Sequence, residues 1–384
     1  MKVLLVAGAR PNFMKVAPIL TALRDRSHET VLVHTGQHFD PSMSDTFFHD
    51  LGMSPPDHSL NVRAGTHAEQ TARVMERFDP VLVAERPDWV VVVGDVNSTL
   101  AAALVAAKRR PEIGCRIVHV EAGLRSGDWS MPEEVNRVLT DQLSDLLLTH
   151  SPEARPLLLR EGIPSERIVD VGNVMIDSLF ATLARAADDT PWRHFGLERD
   201  GYGLVTLHRP SNVDDPGQLA TLVNALRVVA DTLPLLWPVH PRTRGQLDLL
   251  SLDPGTRLLL VEPVGYRDMA CLQAGARLVL TDSGGLQEES TALGVPCVTL
   301  RESTERPITV AEGTNRLAPW PLTTAGIIET ANAALAAGRG SGSRSGHPHG
   351  WDGHAAARVV HALEEARMAD SQCGAQGATD AMAG

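Results

Sequence analysis

Lysine is nearly missing from this chain of 384 residues, standing only at positions 2, 15 and 108, although Lys and Arg together number 35. Coding bias toward arginine is the simplest cause, and it makes Lys15 stand out. Positive charge is also outweighed: the formal net charge is −12, which excludes the broad basic face of a nucleic-acid binder. An anionic small ligand stays open, because a few arginines gathered at one place override a net charge. The four cysteines, Cys115, Cys271, Cys297 and Cys373, show no CxxC spacing. They fit a reducing cytoplasm, with Cys115 and Cys297 beside apolar runs as buried thiols. No apolar run approaches the length that crosses a bilayer, so no membrane span is expected. The apolar start, Met1 to Gly8, runs straight into Arg10 and reads as a first strand rather than a signal peptide. Missing too are GxGxxG after that strand, a Walker A motif and HExxH. His347, His349 and His354 lie in a Gly/Ser-rich stretch that reads as a loop, not a metal site.

What is present is a regular alternation. Short, continuously apolar runs at 3–7, 30–34, 89–93, 116–120, 145–149 and 168–171 alternate with helical patterns in the first half. Runs at 202–207, 235–239, 257–261, 277–281 and 296–300 do so in the second. Runs apolar throughout suit parallel strands covered on both faces. The alternation predicts α/β folding in two doubly wound, Rossmann-like domains facing across a cleft. The first domain is expected over 1–171 and the second over 172–353. A last helix, 352–368, is expected to pack its 354–368 part back on the first domain, and 369–384 reads as a disordered tail.

Ligands of such sheets bind beyond the carboxyl ends of the strands, so the chemistry is sought there. Asp282-Ser283-Gly284-Gly285-Leu286-Gln287-Glu288-Glu289 joins an apolar run to a helical stretch. Its glycines let backbone approach a ligand, and the helix N-terminus aims free N–H groups at it. A phosphate or diphosphate fits there, and the two glutamates a turn later suit ribose hydroxyls. An ordinary Ser-capped turn is the alternative.

Gly8-Ala9-Arg10-Pro11-Asn12-Phe13-Met14-Lys15 places two cations at a strand-to-helix turn. Asp95 ends the strand 89–93, with Ser98 as a plausible N-cap of the following helix, and Glu121 ends the strand 116–120. Arg125 is a candidate partner for Glu121. Pro132-Glu133-Glu134 opens a helix on which Glu133 and Arg137, four apart, share a face. Each motif has a structural alternative as a cap or a pair. Together they bring three carboxylates and several cations to one domain, a set for moving protons on a substrate whose anionic end is held elsewhere. His208-Arg209 and His240-Pro241-Arg242 end strands of the second half.

In this order the motifs resemble the non-hydrolysing UDP-N-acetylglucosamine 2-epimerases. The resemblance runs from Gly8 to about Leu317 and includes Thr35-Gly36-Gln37-His38, Gly94-Asp95, Val120-Glu121-Ala122-Gly123-Leu124-Arg125, Val171-Gly172-Asn173 and Thr304-Glu305-Arg306-Pro307. It implies a GT-B arrangement, a homodimer, no NAD and no metal. It also implies reversible inversion at C2 between UDP-GlcNAc and UDP-ManNAc, by anti elimination of UDP and re-addition. The acid/base residues would be Asp95, Glu121 and Glu133. Arg10, Lys15, Arg137, His208 and Arg209 would position the sugar or stabilise the diphosphate. Ser283, Gly284 and Gly285 would hold phosphate, Glu289 the ribose, and Tyr266 would lie near the uracil. Other enzymes on this fold are the alternatives: a hydrolysing epimerase, an epimerase for a variant UDP-sugar, a GT-B glycosyltransferase, or a nucleotide-sugar sensor.

The chain departs from the family's pattern in three places. Pro210-Ser211 stands where many members have x-Glu after His-Arg. Phe39-Asp40 and Thr66 stand where some members carry a second, regulatory UDP-GlcNAc site, which argues against regulation by substrate. His347-Pro348-His349-Gly350-Trp351-Asp352-Gly353 replaces the family's Asn-Pro-Tyr-Gly-Asp-Gly loop.

Overall fold

The structure, a computed structural model, describes residues 1–36, 48, 51–62, 65–250, 253–340 and 347–382. The chain divides into two compact units, Met1–Ser178 with His349–Gly384, and Leu179–Pro348. Both are doubly wound α/β units, the fold class that the alternating runs predict.

The first unit holds a parallel sheet of β1 (Lys2–Ala7), β2 (Glu29–His34), β3 (His58–Ser59), β4 (Trp89–Val93), β5 (Arg116–Val120), β6 (Leu146–Thr149) and β7 (Ile168–Asp170). Their order is β3-β2-β1-β4-β5-β6-β7. The chain therefore reverses its direction of growth between β1 and β4, and the strand ends there open a crevice. β4, Trp-Val-Val-Val-Val, is buried along its whole length, as a central strand under helices on both faces must be.

The second unit holds β8 (Gly203–Thr206), β9 (Leu235–Pro238), β10 (Leu258–Val261), β11 (Leu278–Thr281), β12 (Cys297–Thr299) and β13 (Asn315–Leu317), in the order β10-β9-β8-β11-β12-β13. Its reversal lies between β8 and β11, whose last residues, Thr206 and Thr281, are register partners. Their hydroxyls bond each other at 2.6 Å. The runs predicted as strands are all strands. β3 and β13 went unpredicted because they are short edge strands without an apolar run.

The unit boundary falls later than expected. It lies inside the helix Val174–Arg185 rather than at 171/172, because the first turns of that helix belong to the first unit. Ser178 Oγ donates to the Met14 carbonyl. The Asp177 carboxylate accepts the Ala355 and Ala356 N–H groups at 3.1 and 2.7 Å. Asp177 thus caps the final helix, Ala355–Met382, from a distant part of the chain. That helix packs on the helix Arg10–Asp25 and buries Val359, Val360 and Leu363. Its backbone continues past Met368 through residues 369–382, where the pattern predicted a tail. Four alanines in that stretch favour the helix. Residues 383 and 384 lie outside the described part.

The return of the chain is tight. Trp351 is fully buried and donates from Nε1 to the His150 carbonyl at 3.0 Å. A Cβ on Gly172 would stand 2.0 Å from the Gly350 carbonyl oxygen, so only glycine fits there. Arg358 fastens the crossing, donating to the Val171 and Gly350 carbonyls at 2.6 and 2.8 Å. Cys115, Cys271 and Cys297 are buried free thiols, and no helix among the described residues is long and apolar enough to cross a membrane.

Candidate active site

In the first unit the polar residues gather at the β1/β4 reversal. The amides of Gly8 and Ala9 donate to Asn12 Oδ1 at 3.1 and 3.0 Å, and Asn12 Nδ2 donates to the Val93 carbonyl at 3.2 Å. This ties the turn after β1 to the end of β4. Lys15, one turn further, is buried and pairs with Glu121. Gly94, at φ +64°, leaves the room: a Cβ there would sit 2.9 Å from Lys15 Nζ. Glu121 itself adopts φ +70°, a left-handed backbone that costs a non-glycine residue roughly 1–2 kcal/mol. Strain of this kind at a strand end points to a function for the side chain. The pairing corrects the expectation that Arg125 partners Glu121. Arg125 instead binds Asp141 at 2.7 Å and Glu161 at 2.7 Å.

Asp95 stands two residues beyond the end of β4. The helix Pro132–Leu143 is bound to it: Asn136 Nδ2 donates to the Asp95 carbonyl at 2.9 Å, and Arg137 donates from Nε and Nη2 to Asp95 Oδ2 at 2.9 and 2.6 Å. Arg137 Nη1 donates to Glu134 at 3.0 Å. The helix thus pairs Arg137 with Glu134, three residues before it. Glu134 also accepts the amides of Ser126 and Gly127, each at 2.9 Å. Burial opposes its charge, but those amides and Arg137 outweigh burial and hold the carboxyl below its usual range. Glu133 is half-buried and has no hydrogen bond or ion pair with a described residue. Asp95 is paired with Arg137 and Glu121 with Lys15, while Glu133 has no ion pair among the described residues. The helix 97–113 begins at Asn97 with no side-chain cap, so Ser98 is not the N-cap. Ser98 Oγ meets Thr35 Oγ1 at 2.7 Å instead. The side chain of Arg10 and residues 37–40 lie outside the described part. Thr66 caps the helix His67–Glu85, accepting from the Glu69 amide.

In the second unit the β8/β11 reversal carries His208, Arg209 and the helix Gly284–Ala292. Ser283 makes no side-chain cap, which removes the Ser-capped turn as the explanation of this segment. Asp282 is fully buried and accepts the amides of His208 and Arg209 at 3.0 and 2.9 Å and Asn212 Nδ2 at 3.0 Å. His208 Nδ1 lies 2.9 Å from Asp282 Oδ1. Of the two glutamates, Glu288 pairs with Arg306 at 3.0 Å. Glu289 receives only the Tyr266 hydroxyl, at 3.1 Å, among the described residues. Burial raises its pKa to about 8; the neighbouring Glu288 charge adds to this and the Tyr266 hydroxyl opposes it. Arg242's side chain lies outside the described part.

Three buried groups were not singled out from the sequence: Asn12, Glu134 and the pair His119–Asp141, whose Nδ1 and Oδ1 stand 2.6 Å apart. His119 Nε2 donates to the Gly94 carbonyl at 2.8 Å, so this pair backs the turn that carries Asp95. Asn12 and Glu134 stand inside quoted motifs and His119 immediately before one, while Asp141, four residues past Arg137, carried no local signal. Among the described residues no group of three or more His, Cys, Asp or Glu side chains is placed to hold a metal ion.

The chain is similar to known proteins along most of its length. A family model described as UDP-N-acetylglucosamine 2-epimerase matches residues 21–364. The UDP-N-acetylglucosamine 2-epimerase of Methanocaldococcus jannaschii is 41% identical over 326 residues, 83% of this chain and 88% of that protein. The UDP-2,3-diacetamido-2,3-dideoxy-D-glucuronate 2-epimerase of Pseudomonas aeruginosa is 43% identical over 322 residues, 83% of this chain and 88% of that one. The crystal structure of the M. jannaschii UDP-GlcNAc 2-epimerase in complex with UDP-GlcNAc and UDP superposes with a TM-score of 0.81 at 38% identity, covering 95% of this chain and all of that one. With the motifs, both sheets and this similarity along most of its length, the chain belongs to the UDP-N-acetylglucosamine 2-epimerase family.

Proposed function

We propose that the protein interconverts UDP-GlcNAc and UDP-ManNAc without releasing free sugar. The C2 proton of the sugar has no neighbouring carbonyl and is not acidic. It becomes removable as the C1–O bond breaks, with the bonding electrons passing to the β-phosphate oxygen of UDP. A carboxylate takes the proton, C1=C2 forms, and the intermediate is a 2-acetamidoglucal. The reverse step returns UDP to C1 and a proton to the opposite face of C2. Electrons balance throughout, so the route calls for no nicotinamide.

The observation that carries this reading is the geometry at Asp95. Both hydrogen bonds from Arg137 fall on Oδ2, which leaves Oδ1 without a hydrogen bond to any described residue and able to take a proton. Lys15 pairs with Glu121. We assign these two cations to holding the carboxylates in place rather than to the diphosphate, with Arg10, His208 and Arg209 taking the diphosphate. Glu133, without an ion pair among the described residues, is the third acid/base group. Ser283, Gly284 and Gly285 hold phosphate at the helix N-terminus, Glu289 takes the ribose hydroxyls, and Tyr266 lies toward the uracil. We further propose a homodimer, as the family resemblance implies, in a reducing cytoplasm that suits the free thiols.

The similarity to the P. aeruginosa protein favours one second reading, a UDP-diacetamido hexuronate as substrate. Incubation with each UDP-sugar in heavy water tests both. Deuterium at C2 together with the epimer supports the proposal, and its substrate dependence chooses between the sugars. Free ManNAc with UDP means a hydrolysing enzyme, and no exchange with either sugar sinks the reading.

A further inference from the structure

We propose that Asp282 is a positioning residue that fixes the tautomer of His208, so that Nε2 is the ring nitrogen presented to the diphosphate. The inference rests on the reading above only for what Nε2 meets; the pairing itself is independent of it. The two carboxylate oxygens divide their work. Oδ2 takes the Arg209 amide and Asn212 Nδ2 at 2.9 and 3.0 Å, and it shares the His208 amide with Oδ1. Oδ1 faces the imidazole Nδ1 at 2.9 Å. The loop after β8 is already held by the donors on Oδ2, so anchoring it does not require the ring contact.

The surroundings are unequal on the two sides of the ring. The Asp282 side chain is fully buried while that of His208 is 53% exposed. Nδ1 therefore meets a fixed carboxylate, and Nε2 bonds no described residue. The amides on Asp282 favour its ionised form, which accepts hydrogen bonds and donates none. Nδ1 must then be the donor. A neutral ring keeps its lone pair at Nε2, and a protonated ring adds its second N–H there, with Asp282 as counter-charge. During elimination, charge grows on the β-phosphate oxygen, and the Nε2–H of the protonated ring stabilises it without transferring its proton. A carboxylate that holds an imidazole in one tautomer performs this task in hydrolytic triads, where an amide in its place selects the wrong one.

Three measurements test this. Long-range 15N NMR of the labelled wild-type protein should show the neutral His208 ring protonated at Nδ1; protonation at Nε2 overturns the proposal, whatever reaction the enzyme performs. In Asp282→Asn the ring should change tautomer and kcat should fall about 10²-fold or more, with KM little changed. A kcat within twofold of wild type overturns it. Because Asp282→Asn can also loosen the loop, His208→Gln and the double variant complete a cycle. If Asp282 acts through His208, the double variant is no slower than His208→Gln; losses that multiply assign Asp282 to the loop alone. Should Asp282→Asn fail to fold, the wild-type tautomer decides by itself. Failure of the wild type to epimerise any UDP-sugar defeats the functional reading and leaves the tautomer result standing.

Discussion

Arg137 donates both of its hydrogen bonds to Asp95 to one oxygen, Oδ2, and leaves Oδ1 without a hydrogen bond to any described residue. A guanidinium so placed holds the plane of the carboxyl group fixed. Asp95→Asn keeps the shape and removes the base. It should lower C2–deuterium exchange by about 10²–10⁴-fold, while UDP binding measured by calorimetry stays near wild type. Equal loss of both means that Asp95 holds the fold.

Glu133 and Glu134 are neighbours with opposite expected phenotypes. Glu134 is buried with three loop donors and Arg137, so Glu134→Gln should cost about 1–3 kcal/mol in urea unfolding. Glu133→Gln removes no hydrogen bond or ion pair with a described residue. It should leave stability within about 0.5 kcal/mol and cut exchange by about 10²–10⁴-fold. Two variants with the same phenotype would contradict the assignment of roles.

Gly94→Ala tests the room made for Lys15. The backbone there is left-handed and the new Cβ would meet Nζ at 2.9 Å. Stability should fall by roughly 1–2 kcal/mol, and exchange should slow as the ammonium is pushed off Glu121. Chemical denaturation and the deuterium assay read the two effects separately.

Glu289 predicts a pH dependence. Its folded pKa, about 8, lies above the ordinary 4.5, so the native state keeps a proton that the unfolded chain loses. Its contribution to stability is full below about pH 4.5 and is lost as pH rises through about 8. Ribose hydroxyls donate to the ionised form. UDP binding should therefore release a proton below pH 8, tighten as pH rises toward 8, and level off above it. Calorimetry in buffers of different ionisation enthalpy measures the release, which Glu289→Gln should abolish.

The strands were legible because parallel strands buried on both faces must be apolar throughout, as 89–93 is. The edge strands β3 and β13 lack that burden and so lack the signal. The site was legible as motifs at strand ends, where Asp95, Glu121 and His208 do stand. Pairings were not. Glu133 and Glu134 are both within helical reach of Arg137, and only the packing of the helix Pro132–Leu143 against the β4 turn selects Glu134. Asp282 was visible as part of a phosphate-binding turn, but its bonds reach residues some seventy positions earlier, and no local pattern encodes that.

The crossing of Gly172 and Gly350 has a consequence for synthesis. The second unit is contiguous and is complete in sequence at Pro348. The first unit, though begun first, lacks Trp351, Val359, Val360 and Leu363 from its core until those residues are made, after the whole of the second unit. On the ribosome the later unit can therefore close before the earlier one. For roughly ten to thirty seconds at ordinary elongation rates, the helix Arg10–Asp25 exposes the apolar surface that the last helix will cover, and that nascent surface is where a chaperone would be recruited.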